Sequence, residues 1–556
     1  MIFDYQYYGK SQVSDSGMSF VPDASRQSTY FVGTLGDNVR FREAISALHK
    51  VVLDDQRYKP RDTTAYKEWA KAREMKEYQE LLLEQQSDDF TIRETQEQLD
   101  GLRAHLDNYR VPDREFQRAK AKYVRYLYKV NRDAWWVLDP VITVHPDSLF
   151  FECFSKDESS YGKLSCKYDV FSNISEYQEG TTNIDYSYDL YNEFQKIRDY
   201  RQTDFTVEPG GFTVETQDEE AYREVKIDLP DSWVRGFLQV SSAMALPSKK
   251  VRFSPMDIYS FCLLLRQKRE KVGPRSIRFE LTPGEPPVVI FDPWGTKFVC
   301  RHSVYMGDSR ESIRIWGRRR IHILERLIPI AKHFDLYLLG YGLPYFFVAD
   351  LGTMEFTLGL SGWSSNNFSA SGNFDLLAPR EEVDDVTKVL VFEELKKTWF
   401  ATVDELAQNL NLDKAVVASV LSSYTQAGRV VYDLDKDVYR ARELSRDPLP
   451  MEQLRFSNPQ EEAAMRFVQR KAIENVDISS FTFMKDEKEK EGMKVQAVLK
   501  GQSGGDFHST LCMDEDRRIL SSHTRCSCRY FADNALRKGP CAHLLALRLF
   551  TRGAQS

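Results

Sequence analysis

Near the end of this 556-residue chain, Cys526-Ser-Cys528 is followed, twelve residues later, by Cys541-Ala-His543. Three thiols and one imidazole are the donor set of a structural zinc site, which takes four N/S ligands on a tetrahedron. A Cys-x-Cys pair in an extended segment turns both thiols to one side, because side chains alternate with period two. Gly539-Pro540 breaks the chain before the second pair, and proline suits the first turn of a helix. Leu544, Leu545, Leu547, Leu549 and Phe550 then predict a short apolar helix. The positive end of that helix favours the thiolate that zinc requires. Four protein ligands leave no open position, so the expectation is one structural Zn2+ and no catalytic metal. His508, Cys512 and His523 lie close in sequence and are the alternative donors, His523 foremost.

The order Cys526-x-Cys528, spacer, Cys541-x-His543 resembles the SWIM-type zinc finger. The resemblance covers about the last 60 residues and includes all four motif positions. It implies two strands followed by a helix, here near Lys494–Lys500, Phe507–Asp514 and Ala542–Phe550. SWIM modules are thought to bind DNA or proteins, so the module alone leaves the partner open. Between Arg517 and Arg552 eight Lys and Arg face a single acid, Asp533. Arg517, Arg518, Arg525, Arg529, Arg537 and Lys538 are therefore the candidate residues for a nucleic-acid or protein partner, with Tyr530 and Phe531 beside them for stacking.

A second unit precedes the finger. Val386, Val389, Leu390 and Leu395 predict a helix. Thr402-Val-Asp-Glu405 is a capping box that opens a second. Asp413 caps a third, which Gly428 closes. Val430–Tyr432 and Val438–Arg440 make a hairpin around Asp433–Asp437. Three helices and a hairpin resemble a winged helix-turn-helix. Between Val386 and Arg442 eight basic residues meet eight acidic ones, and the hairpin tip is acidic. The third helix offers a single lysine, Lys414. Groove readers present polar and basic residues there, so the expectation is a protein-contact or spacer role.

The remainder reads as α+β. Residues 62–133 form a charged, helical arm. Strands are expected at Val141–Val144, Leu149–Phe154, Ser276–Leu281, Pro287–Phe291, Phe298–His302, Phe346–Val348 and Phe356–Leu360. Helices are expected at Asp185–Tyr200, Pro255–Lys271 and Ile321–Ala331, and a turn-rich break at Phe205–Gln217. Arg314 and Arg318–Arg320 read as a solvated basic face, and Leu358–Trp363 as a turn capping a sheet. The expected boundaries are 1–60, 61–133, 134–380, 385–445 and 455–556, giving an α+β multidomain chain: an N-terminal α+β part with a helical arm, a winged helix, and a C-terminal ββα finger. Loosely, the whole chain resembles bacterial SWIM zinc finger proteins found near MoxR-type AAA+ ATPases and von Willebrand factor A-type proteins, through Asp157–Tyr161 and Leu358–Trp363. That implies an accessory subunit with such a protein as partner.

Composition limits the function classes. The balance of 76 basic against 83 acidic residues, net −7, excludes a nucleic-acid coat acting by bulk charge. No apolar run of about 20 residues exists, and the first residues lack the pattern of a secretory signal, so a cytoplasmic protein without membrane contact is expected. The other four cysteines, Cys153, Cys166, Cys262 and Cys300, are scattered and read as buried apolar groups. There is no Gly-x-x-x-x-Gly-Lys-Ser/Thr, no Gly-x-Gly-x-x-Gly, no His-Glu-x-x-His and no Gly-x-Ser-x-Gly. The expected function is a non-catalytic, zinc-binding adaptor. The alternatives are a DNA-binding regulator and a metal-dependent nuclease built from dispersed carboxylates.

Overall fold

The computed structural model describes residues 12–14, 17–19, 29–53, 141–183, 188–208, 211–217, 222–225, 231–268, 275–362, 366–369, 372–379, 382–442, 444, 459–485, 488–501, 505–515, 517–521 and 523–553. The chain divides into two compact units, 56–137 and the rest. The expected helical arm lies outside the described residues, and everything below concerns the larger unit.

A short hairpin, β1 (Gln12–Ser14) and β2 (Gly17–Ser19), precedes β3 (Tyr30–Leu35) and α1 (Asn38–Leu53). Five strands follow: β4 (Val141–His145), β5 (Ser148–Phe154), β6 (Ser160–Lys167), β7 (Phe171–Gln178) and β8 (Gly180–Asn183). Then come α2 (Tyr188–Lys196), β9 (Thr203–Glu208), β10 (Gly211–Thr216), β11 (Tyr222–Val225) and α3 (Asp231–Met244). The middle of the chain holds β12 (Lys249–Phe253), α4 (Pro255–Gln267), β13 (Ser276–Leu281), β14 (Val288–Phe291), β15 (Thr296–Val299) and β16 (Glu311–Trp316). A 3-10 helix at Arg318–Arg326 leads to β17 (His333–Leu338), β18 (Tyr345–Asp350) and β19 (Met354–Leu360).

These elements repeat a plan. In each half a strand and a helix (β3–α1, β12–α4) lead into further antiparallel strands. A second helical segment then precedes a three-stranded meander, β9–β10–β11 or β17–β18–β19. The opening strand pairs with the first meander strand in both halves, β3 with β9 and β12 with β17. The halves join where β19 pairs with β6, from Met354↔Cys166 to Leu360↔Ser160. The result is an eight-stranded sheet in the order β12-β17-β18-β19-β6-β5-β4-β8. Every residue of β5 is buried because both faces of the sheet are covered. On one face Phe41 of α1 meets Phe151 edge-on, and Gly162 admits Leu48 and Val51, leaving no room for a Cβ.

The opposite face carries a second layer. It comprises α5 (Asp385–Thr398), β20 (Phe400–Ala401), α6 (Val403–Leu410), α7 (Lys414–Gln426), β21 (Val430–Asp433) and β22 (Val438–Ala441). The sheet order is β20-β22-β21. The expected capping box is present: Thr402 accepts from the Glu405 N–H while Glu405 accepts from the Thr402 N–H. α7 is buried along most of its length, and its end is fixed to α3 by Gln426 Nε2 donating to Ser242 Oγ at 2.6 Å.

Buried charge fixes this layer to the sheet. Arg440, 0% exposed, donates from Nε to Asp433 (2.8 Å) and from both terminal nitrogens to Asp147 (2.8 and 3.1 Å). Lys163 of β6 lies 3.6 Å from Asp433. Arg442 bonds Glu152, which also accepts from the Tyr161 hydroxyl. Burial pushes the Asp147 and Asp433 carboxyls up, but their cations outweigh it. The hydrogen bond with His145 and the Arg440 guanidinium hold Asp147 well below the usual carboxylate range, and Lys163 and Arg440 lower Asp433. The acidic hairpin tip of the sequence is therefore in part an internal counter-ion.

Three expectations are corrected. The break at Phe205–Gln217 is the β9–β10 hairpin: Phe205, Val207, Phe212 and Val214 are buried in strict alternation, and the polar residues between them turn outward. The Ile321–Ala331 helix is a 3-10 helix that begins earlier, after Gly317 at φ +86°. The arginine face is divided: Arg319 is exposed and Arg314 half-buried, as expected, but Arg318 and Arg320 are interior. Arg318 (2% exposed) lies 4.4 Å from the Trp294 ring and Arg320 (5% exposed) donates to Asp157 at 2.9 Å.

Replacing Arg440 with Met leaves buried Asp433 with Lys163 and half-buried Asp147 with Lys436 and His145, a loss of about 3 kcal/mol, the lower end for a broken buried pair. Thermal and urea melts at pH 7 should show it. Both carboxyls sit below their unfolded values in the wild type, so their stabilisation is present above the unfolded pKa and is lost as pH falls. Without Arg440 both carboxyls are held down less, so less stability is lost on acidification and the deficit should shrink as pH falls from 7 to about pH 4.

Candidate metal centre

The C-terminal segment begins with α8 (Pro459–Gln469) and a long antiparallel meander: β23 (Ile473–Lys485), β24 (Lys488–Lys500) and β25 (Asp506–Met513). A two-residue strand, β26 (Arg525–Cys526), joins its edge through Ser509↔Cys526 and Thr510↔Arg525. α9 (Arg529–Asn534) and α10 (Ala542–Gly553) complete it. Leu499, Leu511, Leu544 and Leu547 are fully buried because the apolar side of α10 packs across β24 and β25, as the leucine spacing predicts.

Each ligand position has a local cause. Cys526 lies on an edge strand, where Ser509 Oγ donates to its Sγ at 3.2 Å and the Cys528 N–H at 3.5 Å. Cys528 caps α9, its Sγ accepting from the Phe531 N–H at 3.3 Å. The chain then turns at Gly539, φ +92°, where a Cβ would lie 2.6 Å from the Asn373 carbonyl oxygen. That turn delivers Cys541 to the start of α10. His543, one residue into α10, sits between Phe507 (4.1 Å) and Phe467 (4.9 Å).

The donor atoms of Cys526, Cys528, Cys541 and His543 all lie within 4.8 Å of one another, so these four residues can hold a metal ion. His543 Nδ1 is buried and has no hydrogen-bond partner among the described residues, as a nitrogen reserved for a metal requires. Hydrogen bonds from Cys528 and Cys541 hold the Cys526 thiol well below its usual value. The same contacts, with burial, push Cys541 far up. Thiols this close share their protons, and a bound cation would displace them. The alternative donors go elsewhere. Cys512 Sγ donates to the His523 carbonyl at 3.6 Å, the His523 ring lies 5.4 Å from Phe481, and the His508 N–H bonds Ser527. Ser509 carries no local signal of this role, because register alone brings it opposite Cys526.

The module is anchored to the rest of the unit. Arg548 of α10, almost fully buried, donates to the carbonyls of Leu376, Ala378 and Arg517 at 3.0, 2.6 and 2.7 Å. Asn366 Nδ2 donates to the Arg537 carbonyl and Ser521 Oγ to that of Leu339, each at 2.9 Å. The basic residues of the sequence therefore divide. Arg537 donates to the Asn534 and Asp533 carbonyls, and Arg517 contacts Met493 Sδ. Arg518 and Lys538 are half-buried, whereas Arg525 is exposed and the Arg529 side chain is 97% exposed.

A second group, Cys262, His322 and Glu325, also has donor atoms within 4.8 Å. Its chemistry differs. Glu325 accepts from Arg266 at 2.6 Å, meets His322 at 2.7 Å and lies 3.8 Å from Lys50. Fixed cations already balance that carboxylate, and burial, aided by Glu325, raises the Cys262 thiol to about 12. We read it as an ion-paired cluster.

No family model matches the sequence, and neither does any curated protein. Among solved structures the chain is similar to Proliferating Cellular Nuclear Antigen from Entamoeba histolytica, at 11% identity over 43% of this chain and 92% of that one (TM-score 0.31). It is similar also to A. fulgidus PCNA, solved with the C-terminal region of FEN-1, at 12% identity over 40% of this chain and 88% of that one (TM-score 0.31).

Elemental analysis of the intact protein should find about one metal ion per chain. Cys526→Ser and Cys541→Ser should lose it, and Cys512→Ser should keep it. Because ligands must shed protons to bind, metal content should fall as pH drops below about 6.

Proposed function

We propose that this protein is a zinc-binding, non-catalytic adaptor whose C-terminal SWIM-type module recognises a protein partner. The observation that carries the reading is the convergence of Cys526, Cys528, Cys541 and His543. Three thiolates and an imidazole suit Zn2+, and four protein ligands leave no position for substrate. The succession β24, β25, α10 is the order that the SWIM resemblance implies. In this reading zinc fixes the shape of a segment with a small apolar interior, and Arg525 and Arg529 present charge from it.

Residues 385–442 act as a winged-helix spacer. α7, the helix that would enter a major groove, is buried against α3, α5 and α6. The hairpin tip turns Asp433 towards the chain's own Lys163 and Arg440. Both features favour a protein partner over DNA. A MoxR-type AAA+ ATPase or a von Willebrand factor A-type protein is the partner class that the whole-chain resemblance suggests.

Affinity capture from host cells with the full-length chain tests this reading. An AAA+ ATPase or A-domain protein should be recovered with the wild type and lost with Cys541→Ser. Duplex binding whose affinity falls linearly with salt on log–log axes would replace that partner with DNA. Cleavage of DNA in Mg2+ or Mn2+ would contradict the non-catalytic role.

A further inference from the structure

A cavity of about 1130 Å³ lies where the metal-bearing module meets the sheet unit. One wall comprises the start of β12, residues 304–313 and the β17–β18 turn. The other comprises the β23 end (Thr482, Phe483) and residues 519–521, 523, 525, 531, 535 and 536. Leu246, Leu338, Leu339, Ile519, Leu520 and Leu536 form an apolar floor, each at most 7% exposed. Met306 and Tyr341, 69% and 52% exposed, stand at the rim.

The charge of the wall opposes that of the molecule. The lining includes Lys249, Lys250, Arg252, Arg310 and Arg525 against Asp308 and Glu311, in a chain whose net charge is −7. Lys250 and Arg252 are partly neutralised by Asp335, at 2.9 and 2.7 Å. Lys249 sits 3.6 Å from Glu311, and Arg525 projects from the strand that carries Cys526. Tyr305 closes the wall fully buried, and its hydroxyl has no hydrogen-bond partner among the described residues.

We propose that this cavity binds a short extended peptide of a protein partner, one that alternates acidic and large apolar side chains. The apolar floor would take the hydrophobic residues, and Lys249, Arg310 and Arg525 the carboxylates. The walls also hold aromatic and basic side chains, among them Tyr341, Phe483 and Phe531; the preference for a peptide over nucleic acid rests on the buried leucine and isoleucine floor, which accepts apolar side chains and gives nothing to phosphates or base edges. The binding surface spans both walls, so the metal centre, by holding β26 and α9, holds one side of it.

The inference rests on the reading of the module as a protein-recognition unit. Its test uses the full-length, metal-loaded chain and two fluorescein-labelled octapeptides, one alternating glutamate with leucine and phenylalanine, the other with lysine in place of glutamate. The acidic probe should bind at low salt and weaken as salt rises, and the basic probe should not bind. Lys249→Glu combined with Arg525→Glu should weaken the acidic probe at least about tenfold, whereas Lys297→Glu, on exposed β15, should not. Equal binding of both probes, or none, overturns the proposal from the wild type alone, even if the double variant misfolds. A chain that captures its host partner but does not discriminate the probes overturns the cavity assignment only. A chain that discriminates the probes but captures no host protein overturns the wider reading.

Discussion

Three sulfurs and one imidazole must meet at a point, and the C-terminal fold is the set of solutions that lets them. Cys526 reaches it because a two-residue strand pairs with the edge of β25. Cys528 reaches it as the cap of α9. Cys541 and His543 reach it because the chain reverses at Gly539, in a conformation that a side chain would obstruct against Asn373. None of these devices buries much apolar surface. A short edge strand and a six-residue helix are marginal alone, so a metal ion held by these four side chains would matter more here than in the main sheet.

The sequence made this centre legible because its signal is local. Two ligand pairs, a glycine–proline break and a leucine-rich helix lie within 25 residues, and each obeys short-range rules. The helices and hairpin of 385–442 were legible for the same reason: Thr402–Glu405, Asp413 and Gly428 are punctuation that acts within one turn. What could not be read depended on distant chain. The β9–β10 hairpin was hidden because its polar, turn-rich composition masks the two-residue period of Phe205, Val207, Phe212 and Val214. The twofold plan of the sheet was hidden because α4 and α1, or the 3-10 helix and α2, share a place in the topology without sharing residues. The cavity wall was hidden because Lys249, Arg310 and Arg525 are brought together only by the docking of the module.

Charge misleads most in a chain like this. Basic clusters in the sequence suggested outward faces, yet many of those side chains serve the interior. Arg548 satisfies three carbonyls, Arg318 lies against Trp294, and Arg440 joins Asp433 to Asp147. Buried arginines of this kind are retained where a planar, multidentate donor can satisfy several acceptors. Each one held inside is one fewer available on the surface.

X-ray absorption at the metal edge of the intact, full-length protein tests the central claim most directly. The account predicts zinc with three sulfur neighbours at about 2.3 Å and one nitrogen at about 2.0 Å. A shell of oxygen and nitrogen alone, a shell with fewer than three sulfurs, or a protein that carries no metal would contradict it.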